Sequence, residues 1–258
     1  MSVMWRFLRP TIYKLMFLLG WLLYSLSAVL RAGFDVAPIG INLIWPAVFF
    51  YIVGCFMVLI SKFLTRSHSM AQLIAVAIAL VAADHAGKIA SLSLIPVGES
   101  IPIVLNRLHL VQVTNVTGPW IFATFGSAPV VLPALILSVF LLISAPLLYR
   151  YYSMTYRQSL WCEVAFICLV ASSLSSAIDF GVRGGVVDYL YIPGHFTADL
   201  KDIISEVFVA SALIEVLDNP KISIRWTGWK NEFRDLRNVI VGISRFAIDE
   251  MRRSRHNK

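Results

Sequence analysis

The chain has 258 residues, of which 58% are hydrophobic and only 14% charged, and its mean hydropathy is +0.76. That balance excludes an ordinary water-soluble domain, which carries more charge over less apolar residue. The formal net charge is +7, and ten of the 22 Lys and Arg residues lie from Lys221 to Lys258, so the basic character is concentrated in one tail.

In chain order, six segments approach the ~20 apolar residues that a bilayer core requires. They are predicted at 12–31, 41–62, 71–92, 128–149, 158–178 and 200–217. Arg6, Arg9 and Lys14 precede the first, as in a signal peptide. Yet Met16–Leu30 stays bulky to its end with no small-x-small cleavage site, so it reads as an uncleaved helix. Residues 1–69 thus supply two additional transmembrane helices, with Pro38 and Pro46 marking a turn and a kink, and no chemistry is visible in them. Lys62 and Arg66 follow the second segment, Arg150 and Arg157 the fourth, and the basic tail the last. Positive-inside bias then puts both termini in the cytoplasm and turns 84–127 and 179–199 to the other side. Cys55, Cys162 and Cys168 sit within apolar runs without metal-type spacing, and read as small packing residues.

The third segment ends in Asp84-His-Ala-Gly-Lys88, where the i, i+4 spacing puts both charges on one helix face. His85 reads as a polar neighbour of that pair. Within 94–127, Ile101–Asn115 is rich in β-branched residues in partial alternation, which predicts short strands. The fifth segment carries Glu163 near its start, explained by snorkelling or helix pairing, and the small-residue run Ala171–Ala177, which allows close helix approach.

The stretch 177–202 then concentrates four of the fifteen acids, Asp179, Asp188, Asp199 and Asp202, beside membrane segments, where carboxylates are costly and usually functional. Asp188 and Asp199 are eleven positions apart, enough for a short loop to fold back and bring them together. Asp199, Asp202 and Glu206 share a helix face at the start of the sixth segment, where Asp202 and Glu206 suit a helix N-terminus electrostatically. The tail after Pro220 alternates Phe233, Leu236, Ile240 and Ile243 with Arg234, Arg237 and Arg245 at helical spacing, behind Trp226 and Trp229. It reads as an amphipathic helix on the cytoplasmic leaflet; no nucleic-acid-binding module accompanies the charge.

These acids carry a resemblance. Ser176-Ala-Ile-Asp179-Phe180, Val186-Val187-Asp188-Tyr189 and His195-Phe196-Thr197-Ala198-Asp199 resemble the N-x-x-D-R, V-V-D-F and F-N-x-A-D motifs of the lipoprotein signal peptidases (signal peptidase II). The nine-residue step from Asp179 to Asp188 and the Asp84/Lys88 pair, similar to the family's D-Q-x-x-K, fit as well. Asn115 follows Asp84 at the family's separation of 31. The departures are Ser176 for Asn, Phe180 for Arg, Phe196 for the second Asn, and a shorter loop between Asp188 and Asp199.

The resemblance covers 70–217 and implies a four-helix membrane domain with a periplasmic β region at 94–127. The fold class expected for the whole chain is an all-α polytopic membrane protein of about six transmembrane helices. A small extramembrane sheet and a basic amphipathic tail at 218–258 would complete it. The resemblance further implies an aspartic endopeptidase of the bacterial inner membrane, using no metal or organic cofactor. It would cut a diacylglyceryl-modified prolipoprotein before the lipidated cysteine, with membrane lipid around the site and no nucleic-acid partner. Asp188 and Asp199 would be catalytic. Asp84, Lys88, Asn115, Ser176, Asp179, Arg183 and Ala198 would support substrate and dyad, with Arg183 standing in for the family arginine. Two rival readings are a divergent member acting on another membrane-anchored substrate or none, and an ion- or proton-coupled transporter using the same acids. Against the transporter, the acids lie at helix ends and no repeat halves are visible.

Overall fold

The computed structural model describes residues 7–31, 40–64, 67–104, 107–116, 131–193, 196–222, 237–238, 241–249 and 252, with side chains at 27–31 and 40–43 excluded. Pro38, Gly118, His195 and the tail residues Trp226, Trp229, Phe233, Leu236 and Ile240 lie outside the described residues. In chain order the elements are α1 (Ile12–Met16), α2 (Leu19–Arg31), α3 (Gly40–Phe63), α4 (Met70–Leu94), β1 (Ser100–Val104), β2 (Leu108–Asn115), α5 (Val131–Thr155), α6 (Leu160–Ile178), β3 (Val186–Ile192), β4 (Phe196–Ala198) and α7 (Leu200–Asp218). Residues 241–249 are also helical.

Among the described residues, four helices are long and apolar enough to cross a membrane: 44–63 in α3, then α4, α5, and α6 with its continuation to Arg183. The expected spans at 12–31 and 200–217 are not among them. The first is broken at Phe17–Leu18 into a five-residue helix and the 13-residue α2. At 1.5 Å per residue α2 covers about 20 Å, short of a bilayer core. The cause of the break is visible in the packing. Phe17 is fully buried beside Trp161, Ala210 and Ile214, and α2 restarts with the Gly20 N–H donating to Glu206 Oε1 at 2.9 Å. A carboxylate at a helix N-terminus is electrostatically favourable. A Cβ on Gly20 would sit 1.7 Å from Glu206 Oε2, so a larger residue there would displace that carboxylate from its present seat. α7 is 19 residues long but carries Lys201, Asp202, Glu206, Glu215 and Asp218.

Caps set the starts of the central helices. Ser69 and Gln72 form a reciprocal capping box at α4, and the Ser159 hydroxyl accepts from Cys162 N–H at α6. α6 is the centre of the bundle, packed by α4, α5 and α7 around Leu73, Ala77, Ala145, Phe166, Ala171 and Ile204. Its small residues Ala171, Ser173 and Ser175 are buried, so neighbouring backbones approach closely where the sequence lacks bulk. Glu163 does not snorkel. Its carboxylate takes the His68 N–H at 2.9 Å and faces His68 Nδ1 at 2.7 Å, which joins the starts of α4 and α6.

At the other end of the bundle lies a four-stranded antiparallel sheet in the order β1-β2-β3-β4. β1 and β2 fall where strands were expected. β3 and β4 replace the expected loop between Asp188 and Asp199, with Leu190 opposite Ala198 and Tyr191 opposite Thr197. A single sheet results because β3 pairs with β2, Val113 opposite Asp188 and Asn115 opposite Val186. The Ser91 hydroxyl donates to Val111 O at 2.5 Å and ties this sheet to α4.

Candidate active site

Four elements deliver ionisable groups to the junction of bundle and sheet. α4 brings Asp84 and Lys88 one turn apart. α6 ends at Ile178 and continues as a π-turn, Asp179–Arg183, closed by Gly184 in the left-handed region at φ 68°. That turn brings Asp179 and Arg183. β3 brings Asp188, and the start of α7 brings Asp199 and Lys201.

Lys88 is the hub. Its ammonium, fully buried, lies 2.6 Å from Asp84 Oδ2, 2.5 Å from Asp179 Oδ2 and 2.8 Å from Asp199 Oδ2. An ammonium has three protons, so each carboxylate receives one. The remaining oxygens are also matched. Asp84 Oδ2 accepts from the Ser175 hydroxyl at 2.5 Å and Oδ1 from Lys201 N–H at 3.2 Å. Asp179 Oδ1 accepts from Arg183 Nη1 at 2.8 Å. Asp199 Oδ2 also accepts from Lys201 Nζ at 2.8 Å, and its Oδ1 from Asp202 N–H at 3.1 Å. Three carboxylates therefore face three cations, Lys88, Arg183 and Lys201, which is what burial of this much charge requires. Oxygens of Asp84, Asp179 and Asp199 lie within 4.8 Å of one another, a spacing that could hold a metal ion, but the Lys88 ammonium occupies their centre.

Asp199 is at once a cluster member and the N-cap of α7, in a capping box with Asp202. The first N–H groups of α7 are accounted for: Leu200 N–H donates to Tyr189 Oη at 3.1 Å, Lys201 N–H to Asp84 and Asp202 N–H to Asp199. Tyr189 reaches this position because residue 87 is glycine. A Cβ there would meet Tyr189 Cζ at 2.7 Å.

Asp188 is buried outside the Lys88 cluster. Asn115 is two residues beyond Val113, the cross-strand partner of Asp188, so it shares that face as a diagonal neighbour. Its Nδ2 donates to Asp188 Oδ2 at 3.3 Å, and the Thr197 hydroxyl donates to the same oxygen at 2.8 Å. The two aspartates differ electrostatically. Burial pushes Asp188 above the ordinary carboxylate range, and the Asp199 charge adds to this against the pull of Lys201 and of its two hydrogen bonds. Burial acts on Asp199 in the same direction, but the Lys201 and Lys88 ammoniums outweigh it and hold Asp199 below that range.

The other sequence-derived positions also fall nearby. Arg183 Nη1 is 2.9 Å from His85 Nδ1, so that ring nitrogen accepts and His85 is the polar neighbour expected. Ser176 enters through its carbonyl, which accepts Asp179 N–H, while Ser175 reaches Asp84 with its hydroxyl. Ala198 pairs with Leu190 and precedes Asp199 on β4. Phe196, where the resemblance puts an asparagine, packs against Trp21 and Tyr24 of α2 with ring centroids 5.6 and 4.8 Å away. The added N-terminal segment thus touches the strand that leads into Asp199.

Ser175, Tyr189, Thr197 and Lys201 are site neighbours that the sequence reading passed over. Ser175 had a signal, since it precedes Asp179 by four residues on one helix face. Lys201 had none, because a lysine beside helix-capping acids reads as a solvated charge.

A polytopic bundle with neutralised buried acids at one end and a small sheet over them defines the chain as a membrane protein with an enzyme-like polar centre. Residues 76–217, more than half of the chain, match the signal peptidase (SPase) II family, peptidase family A8, and the chain belongs to that family of membrane proteases. Two similar solved structures are both described as bacterial membrane enzymes determined by the in meso method. One, at 2.3 Å resolution, is 18% identical, with 62% of this chain and 96% of that chain covered and a TM-score of 0.49. The other, at 1.9 Å, is 20% identical, with 59% and 95% covered and a TM-score of 0.47. No curated protein matches the sequence.

Proposed function

We propose that this protein is an aspartic endopeptidase that removes the signal peptide of diacylglyceryl-modified prolipoproteins, cutting before the lipidated cysteine. Asp188 and Asp199 are its catalytic pair. The observation that carries the reading is their placement and unequal surroundings. The β3–β4 pairing, with Leu190 opposite Ala198, folds two buried carboxylates back to one junction. There Asp188 meets a neutral amide and hydroxyl, and Asp199 meets two ammoniums. That is the condition for general acid and general base to coexist at one pH. The ionised partner takes a proton from the attacking water, and the protonated partner polarises the scissile carbonyl and then serves the leaving amine.

Asp84, Lys88, Asp179, Arg183 and Ser175 form the buried platform under Asp199, while Asn115 and Thr197 orient Asp188. The family membership, the four apolar helices and the site at one bundle end support a position at the periplasmic face of a bacterial inner membrane. Both termini would then be cytoplasmic, and substrate lipid would enter sideways between helices.

Asp188→Asn and Asp199→Asn keep the side-chain shape and remove the acid–base chemistry. Each is expected to lower turnover of a purified lipidated prolipoprotein by at least ~10², the scale of a lost general acid–base group. Near-normal turnover in either folded variant would overturn the assignment.

A further inference from the structure

The three-cation count leaves one lysine with an unusual position. Lys88 serves three carboxylates from within the bundle, whereas Lys201 stands two residues after Asp199 on the first turn of α7. Its side chain is only 9% exposed, and its ammonium is 2.8 Å from Asp199 Oδ2 and 3.6 Å from Asp202 Oδ1. It also lies close enough to Asp188 for their charges to interact. A charge bonded to one carboxylate of a pair cannot leave the two equivalent.

We propose that Lys201 is a positioning residue that decides the direction of catalysis in the pair: by bonding to Asp199 it makes Asp199 the base and leaves the proton on Asp188. The proposal rests on the dyad reading above and deepens it. Asp199 carries two ammonium contacts on one oxygen and a helix N-terminal N–H on the other, and all of these bind the charged form better than the neutral acid. Among the described residues, Asp188 receives a neutral amide and a neutral hydroxyl. A pair shared symmetrically by one proton is therefore replaced by a polarised pair.

Other charged and titratable groups face the pair from each packed element. From α4 come Asp84, Lys88 and His85, and from the π-turn Asp179 and Arg183. Asp84 and Asp179 are neutralised by Lys88 and Arg183. Tyr189 of β3 accepts from Leu200 N–H, and Glu206 is turned toward Gly20 of α2. Asp202, whose carboxyl burial pushes up to about 7, lies 3.6 Å from Lys201 Nζ and adds negative charge there once it ionises. Lys201 is the cation of this set that stands near both aspartates.

The test is the pH profile of kcat/KM for a lipidated prolipoprotein, with wild type, Lys201→Met and Lys201→Arg. Removing the charge raises both carboxyl groups, because Lys201 lowers both. Both limbs should move to higher pH, and the acidic limb, set by ionisation of the base that Lys201 bonds, should move further than the basic limb, set by loss of the acid's proton. The expected shift is on the order of one unit for a lost opposite charge at this distance. Lys201→Arg should return both limbs to their wild-type positions. A merely structural lysine would lower the rate and leave the limbs in place, and unmoved limbs in Lys201→Met overturn the proposal.

Infrared titration of the purified protein gives a second reading that needs no turnover. Asp202 and Glu206 are also pushed up by burial, so the reading is the difference from wild type. One carboxylic-acid component near neutral pH should be lost in Asp188→Asn and kept in Asp199→Asn, and the opposite result refutes the assignment. If both asparagine variants cleave normally, the dyad reading itself falls. If both are dead and the limbs ignore Lys201→Met, only the lysine's role falls.

Discussion

Asp84, Asp179 and Asp199 show how a single residue can be worth more than its own contacts. Each is fully buried, and each depends on the same Lys88 ammonium. Replacing one partner of a buried ion pair leaves an uncompensated charge, at a cost of about 3–5 kcal/mol. Lys88→Met keeps the side-chain length and strands negative charge on three elements at once. Thermal unfolding in detergent should show a loss at the upper end of that range or failure to fold. An unchanged unfolding temperature would mean that the cluster is better hydrated than its burial implies. Asp179→Asn should be milder, since the amide oxygen still accepts from one of Arg183 and Lys88 while its NH2 is left facing the other donor, and it should harm stability as much as rate.

At the scale of elements, the N-terminal helices are the part whose role changed most between sequence and structure. They carry no acid–base pattern, and the sequence gives no reason to place them near 196–206. The structure stacks Trp21 on Tyr24 at 5.2 Å and sets both against Phe196, while Gly20 binds Glu206. The contacts with Phe196 and Glu206 join residues more than 170 positions apart, and no local periodicity encodes them. Trp21→Ala should therefore destabilise the fold by about 3–5 kcal/mol, the usual scale for a buried aromatic. It should also lower turnover by loosening β4 ahead of Asp199. Leu22→Ala, at a neighbouring position that is 54% exposed, should do neither. Equal effects of the two substitutions, read by unfolding and turnover, would show that the docking of α2 is incidental.

What was legible in the sequence follows the same division. The Asp84/Lys88 pair was readable because a helix turn is a local period, and the strands β1 and β2 because β-branched alternation is local too. Asp179, Asp188 and Asp199 were readable as a set because carboxylates beside apolar runs are costly. β3 was not, since Val186–Ile192 reads as an apolar run flanking a loop until β2 is there to pair with it. The length of the first helix was misread because the interruption comes from Phe17 packing and the Glu206 carboxylate, and neither is a proline or glycine signal at the break itself.

For the whole molecule, the bundle sorts its polar groups by end. His68–Glu163 and Arg157–Glu215 lock one end, where the basic residues gather; the Lys88 cluster, Asp188 and the sheet occupy the other. The proposed function makes the second end a hydrolytic site acting on lipidated precursors. Its most direct test is cleavage of a purified diacylglyceryl-prolipoprotein in ¹⁸O-labelled water, with both products weighed by mass spectrometry. The expected result is a mature product beginning at the lipidated cysteine and a signal peptide carrying one ¹⁸O in its new carboxylate, neither appearing with Asp188→Asn or Asp199→Asn. An intact precursor after incubation with folded wild-type protein would contradict the account, as would undiminished cleavage by either variant.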